Sequence, residues 1–392
     1  MNSEERREAR RRRREEKRAA KRAERNEGRD LEAVADLHAL CKASRQAAKG
    51  VNWKASTQRY RRDYLRNAAK TRADLLAGRD VRRGFTNFDV VERGKVRHIS
   101  AVHFSERVVH KSLTQNVLVP TMTPPLIAAN SANIKGRGTD YALMRMKRDL
   151  ARHYRRHGAE GYILLMDFSD YFARIAHGPL KAQLSRAVAD PRALALAESF
   201  VDAQGEVGLG LGSEPNQIMA VAFPDAIDHF VTETLGVEAY GRYMDDSYCI
   251  HVSKEHLRGC LKAIEARCAE LGIAMNPKKT RIVKLSRGFT WLKKRFCYAE
   301  GGRVVVRPCR ESVTRERRKL KAQHRLWLAG EMTLEQVEQS YQSWRGGLEK
   351  RHGDGVPRLR LDAHRTVMEM DALFRRLFHP EDPSGGVPHS PM

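Results

Sequence analysis

The stretch Tyr240–Val252, YGRYMDDSYCIHV, sets an acidic pair between two runs of strand-forming residues. It reads as a β-hairpin turning at Asp245-Asp246. Upstream, Tyr162–Met166 is a short apolar run of buried-strand type that ends at Asp167. Two largely helical stretches, near Leu180–Val201 and Gln217–Leu235, separate that run from the hairpin. After it, Lys254–Leu271 stacks Leu257, Leu261, Ile264 and Cys268 on one helical face. Phe289–Tyr298 and Arg303–Val306 then read as another hairpin around Gly301-Gly302. Strand, helices, hairpin, helix, strand is the order of a ferredoxin-like split βαβ sheet, so the fold class expected is α+β.

If the strand ending at Asp167 lies beside the hairpin, three carboxylates meet at one sheet edge. Like charges so close need a cation to neutralise them. Oxygen-only donors suit a hard divalent ion, and Mg²⁺ suits phosphate substrates. Two such ions about 4 Å apart can activate a hydroxyl and stabilise a departing pyrophosphate. The plainer reading is that each acid merely caps a turn.

The 392 residues carry a net charge of +25 with 41% hydrophobic residues, so a sizeable core and a polyanionic partner are both expected. The first 27 residues hold 12 Lys or Arg and 7 Asp or Glu, which leaves most of the excess on the folded body. Glu4–Glu27 has helix formers but no apolar stripe, so an exposed, conditionally ordered helix is expected, either solvated or binding nucleic acid. Apolar runs such as Ile218–Phe223 are too short to span a bilayer, and Met1 leads into charge rather than an apolar leader. Six cysteines without CxxC spacing point to thiols in a reducing cytoplasm.

Ser56–Leu76 is expected to be one helix. Phe85–Val91 and Val96–Val102 pair about Glu92-Arg93-Gly94 as a hairpin. Phe104–Val119 is expected to be helical, with Val108, Val109, Leu113 and Val117 inward, until Pro120 breaks it. A basic helix spans Tyr141–His157. Beyond Pro308 the chain is helical again, with a capping box at Thr333 and Gln336 and punctuation at Pro357.

The acids belong to a series of five segments, and the series resembles the motifs of reverse transcriptases. Tyr243-Met244-Asp245-Asp246 resembles the YxDD signature, and Asp167–Phe172 (DFSDYF) the first acidic motif. Gly208–Gln217 (GLGLGSEPNQ) resembles the glycine-rich motif between them. Asn276–Thr280 (NPKKT) and Phe289–Lys294 (FTWLKK) resemble the two that follow. The likeness runs roughly from Val90 to His352. It departs from the family at Gly210, where Pro is frequent, and at Pro215-Asn216, where Thr-Ser is frequent.

The resemblance implies a right-hand polymerase with fingers, ferredoxin-like palm and helical thumb. It implies Asp167, Asp245 and Asp246 as catalytic metal ligands, with the Phe168 carbonyl as a further oxygen donor to two Mg²⁺ ions, for which Mn²⁺ can substitute. Phe172 then packs under the sugar of the incoming nucleotide and disfavours a 2′-hydroxyl. Gln217 helps hold that nucleotide, Lys95 and Arg97 neutralise its triphosphate, and Lys278 or Lys279 protonates the pyrophosphate. Gly212, Ser213, Trp291, Lys293 and Trp344 fall where the family meets primer and template, although Trp291 reads equally as a core residue and Trp344 slightly better as a helix-packing one.

The expected organisation is a basic extension over 1–50, fingers over 51–160, palm over 161–300, thumb over 301–380 and a disordered tail over 381–392. The expected activity is RNA-directed DNA synthesis. Partners are an RNA template, a DNA or RNA primer, the cDNA product and dNTPs, with no membrane and with an accessory protein or homo-oligomer left open. Among bacterial relatives, phage defence with an associated non-coding RNA is favoured over diversity-generating retroelements. The rivals are an RNA-templated RNA polymerase, a template-independent or protein-primed synthesiser, and a silent nucleic-acid-binding module.

Overall fold

The computed structural model describes residues 3–92, 94–349 and 359–379. Arg93, Pro357 and the tail over 381–392 lie outside the described residues. The chain forms two compact units, each assembled from separate stretches of sequence. One comprises Met1–Lys135, Asp167–Gly236 and Cys260–Pro277, and the other Gly136–Met166, Val237–Gly259 and Lys278–Met392.

The first unit is mostly helical. Its opening helix, Ser3–Asn26, is exposed along most of its length and has an anchored end. There Arg22 Nη2 donates to the Ser185 carbonyl at 3.0 Å and Asn26 Nδ2 to that of Ala187 at 3.0 Å. These carbonyls close the helix His177–Ala187 and have no partner within it, so the arm supplies the missing donors. The expected helix over Ser56–Leu76 is two, Ala55–Arg62 and Tyr64–Leu76, parted where Asp63 leaves helical geometry. Leu40, Cys41, Tyr60, Ala68, Phe104 and Val108 form a core among these helices.

The hairpin of this unit pairs β1 (Phe85–Glu92) with β2 (Lys95–Val102) from Phe85↔Val102 to Glu92↔Lys95, as expected. The following helix, Phe104–Leu113, buries Val108, Val109 and Leu113. It does not stop at Pro120. A π-helical turn, Thr114–Leu118, carries it into Val119–Met122. Proline has no N–H to give, and the widened π turn lies immediately before it.

The second unit holds two sheets. Strands β3 (Tyr162–Asp167), β4 (Ala239–Tyr243), β5 (Asp246–His251) and β6 (Arg281–Lys284) are ordered β4-β5-β3-β6. Read from the other edge, that is fourth, first, third, second, the ferredoxin-like order. The expectation erred on the closing strand, which is β6 rather than Phe289 onward. Arg281-Ile282-Val283-Lys284 is too short and too charged at its ends to stand out, yet it pairs antiparallel to β3 from Tyr162↔Lys284 to Leu165↔Arg281. Strands β7 (Phe289–Trp291), β8 (Lys294–Tyr298) and β9 (Val304–Pro308) make a separate sheet.

Leu143, Met146 and Leu150, from the basic helix Thr139–His157, join one core with Ile163, Tyr248, Phe296 and Val306. Helices Arg310–Leu328, Leu334–Leu348 and His364–Phe378 follow, and the Thr333–Gln336 capping box is present. They enclose Leu320, Val337, Tyr341, Met370 and Phe374. All six cysteines are unpaired. No helix among the described residues is long and apolar enough to cross a membrane.

Candidate active site

The acidic hairpin turns one residue earlier than expected. Tyr243 pairs with Asp246, so the two-residue loop is Met244-Asp245, and Asp246 opens β5. Met244 is held at φ +56°, a left-handed conformation costly for a side chain of its size. Positive φ at the first loop position alone is the II′ pattern, which suits strand twist but favours glycine. What holds the methionine there lies underneath. Arg242 is one of the largest fully buried side chains, and its Nη1 donates to the Met244 carbonyl at 3.0 Å.

A second buried contact supports β5. Tyr248 donates its hydroxyl to Asp149 Oδ2 at 2.8 Å, with Arg145 Nε 3.9 Å from the same carboxylate. Burial pushes the Asp149 carboxyl above its ordinary range, although the Tyr248 hydrogen bond and three nearby arginines pull it down. Burial likewise raises the Tyr248 phenol, and the Asp149 charge adds to that. Gly241 lies opposite Tyr248, and a Cβ there would meet the tyrosine ring at 2.5 Å. Sequence reasoning missed Arg242, Asp149 and Tyr248. The available signal was an arginine inside a strand whose other positions are apolar.

Asp167 is the last residue of β3, the sheet neighbour of β5, and its residue is 3% exposed. Its carbonyl accepts the Asn276 N–H at 2.7 Å, while the Ser169 N–H reaches the Ala274 carbonyl at 2.8 Å. Those bonds flank a bridge in which Phe168 and Met275 face each other without exchanging hydrogen bonds, so the bridge does not consume the Phe168 carbonyl. Carboxylates and a backbone carbonyl are hard oxygen donors, of the kind that suits Mg²⁺ rather than a soft metal. No three His, Cys, Asp or Glu side chains are grouped as a metal cluster among the described residues. Water and substrate phosphates ordinarily complete a magnesium shell.

In the first unit, Tyr171 turns inward and donates to the Ala220 carbonyl at 2.6 Å, while the Phe172 side chain is half-buried. The glycine-rich loop packs against this segment. Leu209 N–H donates to the Phe172 carbonyl at 2.7 Å, and Leu211 bridges Ile99 on β2. Gly208, at φ +87°, is needed because a Cβ would strike the Ala173 carbonyl at 2.7 Å. Asn216 Nδ2 ties the loop down at the Gly210 carbonyl.

Gly212, Ser213 and Gln217 line one cleft of about 250 Å³ with Arg107, His110 and Lys111. Gln217 is exposed on the helix Glu214–Ala222. Ser213 is buried against His110 Nδ1 at 3.2 Å, and His110 Nε2 lies 3.4 Å from buried Glu106. Lys111 pairs with Glu214 at 2.9 Å. This buried Glu–His–Ser chain was not visible in sequence, because Ser213 and His110 are remote along the chain.

The other expected residues are distributed as follows. Arg97 is exposed and pairs with Glu92 at 2.9 Å across the hairpin, and Lys95 opens β2. Lys278 and Lys279 are exposed. Lys293 is exposed at the β7–β8 turn, where Leu292 and Lys293 both have positive φ. Trp291 is 4% exposed and packs edge-on against Tyr248 at 5.0 Å, so its indole belongs to the core rather than to a primer-facing surface. Trp344 stacks on Tyr341 at 5.8 Å and packs among the C-terminal helices.

Residues 85–296, more than half of the chain, match the family model described as reverse transcriptase (RNA-dependent DNA polymerase). The chain belongs to that family, and its α+β fold is that of a right-hand polymerase. No curated protein matches it. Among solved structures it is similar to an apo telomerase from Candida tropicalis truncated from its C-terminal domain. That likeness has 13% identity and a TM-score of 0.44 and covers 57% of this chain and 54% of that one. It is also similar to a telomerase from Candida albicans in complex with the TWJ fragment of telomeric RNA. Here identity is 13%, the TM-score is 0.45, and coverage is 77% of this chain and 56% of the other. The chain thus spans just over half the length of each telomerase chain.

Proposed function

We propose that this chain is an RNA-directed DNA polymerase that extends a 3′-hydroxyl with dNTPs. The reading is carried by one coincidence: the family match includes Asp167 at the end of β3 and the Asp245-Asp246 pair at the head of β5, its sheet neighbour. Asp167, Asp245, Asp246 and the Phe168 carbonyl would hold two Mg²⁺ ions, with Mn²⁺ as a substitute. When bound, such ions lower the pKa of an attacking hydroxyl and stabilise the departing pyrophosphate.

The chain's own groups do the rest. Gln217 orients the nucleotide, Lys95 and Arg97 neutralise its triphosphate, and Phe172 under the sugar disfavours a ribonucleotide. Lys278 donates a proton toward the pyrophosphate. Gly212, Ser213 and Lys293 meet template or primer. On this reading 51–160 are fingers, 161–300 palm and 301–380 thumb. The substrates are an RNA template, a primer and its cDNA product, and the setting is the bacterial cytoplasm, where an associated non-coding RNA is copied in phage defence.

The test is incorporation of labelled dNTPs and NTPs with and without an RNA template. Template-dependent dNTP incorporation is expected, abolished in the Asp245→Ala/Asp246→Ala variant. Equal use of NTPs, or unchanged synthesis in that variant, would overturn the assignment. Sequencing RNA and cDNA that copurify with the protein tests the biological role. A dedicated structured RNA fits defence, and a template matching a neighbouring variable gene does not.

A further inference from the structure

A second basic cleft lies in the first unit, and most of it is built from helices that precede the matched family region. It encloses about 400 Å³ and is lined by Arg59, Lys70 and Arg83 together with the Ser56 and Ser105 hydroxyls. None of the three cations takes part in an ion pair among the described residues. The acid in the cleft, Asp74, is already neutralised by Arg79 at 2.7 Å. Tyr60 and Thr71 also line the cleft. Unpaired cations and hydroxyl donors form an environment short of anionic oxygen.

An aromatic platform adjoins it along the chain. Trp53 is 74% exposed and stands two residues before the helix Ala55–Arg62, which brings Ser56 and Arg59 to the cleft. Lys54 Nζ lies 5.5 Å from the indole centroid. An exposed indole a few residues along the chain from a cationic groove suits a single strand, which stacks a base while cations follow its phosphates.

We propose that Arg59, Lys70 and Arg83 hold phosphodiester groups of a single-stranded nucleic acid whose base stacks on Trp53, at a non-catalytic site. The inference deepens the polymerase reading, yet its test needs neither metal nor dNTP, so the two fail separately. Anisotropy with fluorescein-labelled single-stranded RNA and DNA 20-mers measures affinity of the full chain across a salt series. In R59Q/K70Q/R83Q, affinity is expected to fall at least about tenfold, and the log–log salt slope to drop by about 2, since a single strand contributes roughly 0.7 per phosphate contact. W53A is expected to weaken single strands about tenfold and leave a 20-mer duplex unchanged. Loss with both strands assigns the cleft to the backbone alone, and loss with RNA only assigns it to RNA. Parent-like affinity and slope in the folded triple variant would overturn the proposal. So would an equal loss in K42Q/R45Q/K49Q, which removes three exposed cations elsewhere in the unit.

Discussion

The β1–β2 and β4–β5 hairpins have similar backbones and opposite surroundings. The first exposes Phe88, Val90, Val91 and Val96, and its side chains are tied mainly by surface pairs such as His98–Asp89 at 2.5 Å. The second is buried on both faces: Tyr240, Gly241 and Arg242 in β4, and Ser247, Tyr248, Cys249 and Ile250 in β5. The loop that carries Asp245 therefore has the rigid setting. The side chains of the first hairpin are left in water, where rearrangement costs little. The difference lies in what each strand packs against, not in the turn.

This comparison makes graded predictions. Gly241→Ala should be the most damaging change, because a methyl group cannot share space with the Tyr248 ring without shifting β5. A loss of about 1–3 kcal/mol in urea unfolding is expected, together with reduced dNTP incorporation. Normal stability and activity would show that β4–β5 is not rigidly packed. Tyr248→Phe removes the Asp149 partner and keeps the ring, so a smaller loss of about 1 kcal/mol is expected, with packing otherwise retained. Arg242→Met removes the donor to the Met244 carbonyl. Its signature is a fall in incorporation larger than the fall in melting temperature, because the loop loses its geometry before the unit unfolds.

Asp149 adds a pH dependence. Its folded carboxyl is raised above the ordinary value of 3.8, chiefly by burial, so the folded state binds the proton more tightly than the unfolded chain. Stability from this group should therefore fall as pH rises from about 3.8 through the raised value, and recover on acidification. In Asp149→Asn that dependence should flatten in the same window of a pH series of urea melts, and an unchanged profile would remove Asp149 from the account. The smallest effect belongs to the exposed hairpin. Asp89→Asn breaks a pair open to solvent and should leave the melting temperature where it was.

Much of the candidate site was legible because its chemistry requires unusual residues in unusual places. An aspartate ending the apolar run Tyr162–Met166 and two more inside a strand pattern are expensive unless used, so they stand out. The Thr333 capping box and the inward face of Phe104–Leu113 were legible for a related reason, since local hydrogen bonding and helical periodicity act within a few residues. The break at Asp63, the π turn before Pro120 and the brief strand β6 were not. Each depends on partners distant in sequence, and local propensity is weak against tertiary packing. Trp291 shows the same limit, since an aromatic beside two lysines reads as surface until Tyr248 is found against it.

The order of acidic, glycine-rich and basic motifs along the chain, and with it the family, was determined by the sequence alone. Carboxylates inside apolar strand patterns and a glycine-rich run are unusual enough to be read without knowing their partners. Only the tertiary structure decided which residues support them: buried Arg242 beneath the Met244 turn, Tyr248 on Asp149, and His110 against Ser213. It also decided where the basic excess gathers into the cleft of Arg59, Lys70 and Arg83. The reason is physical. A charge is written in the sequence, but its burial and its partners are properties of residues brought together from remote parts of the chain.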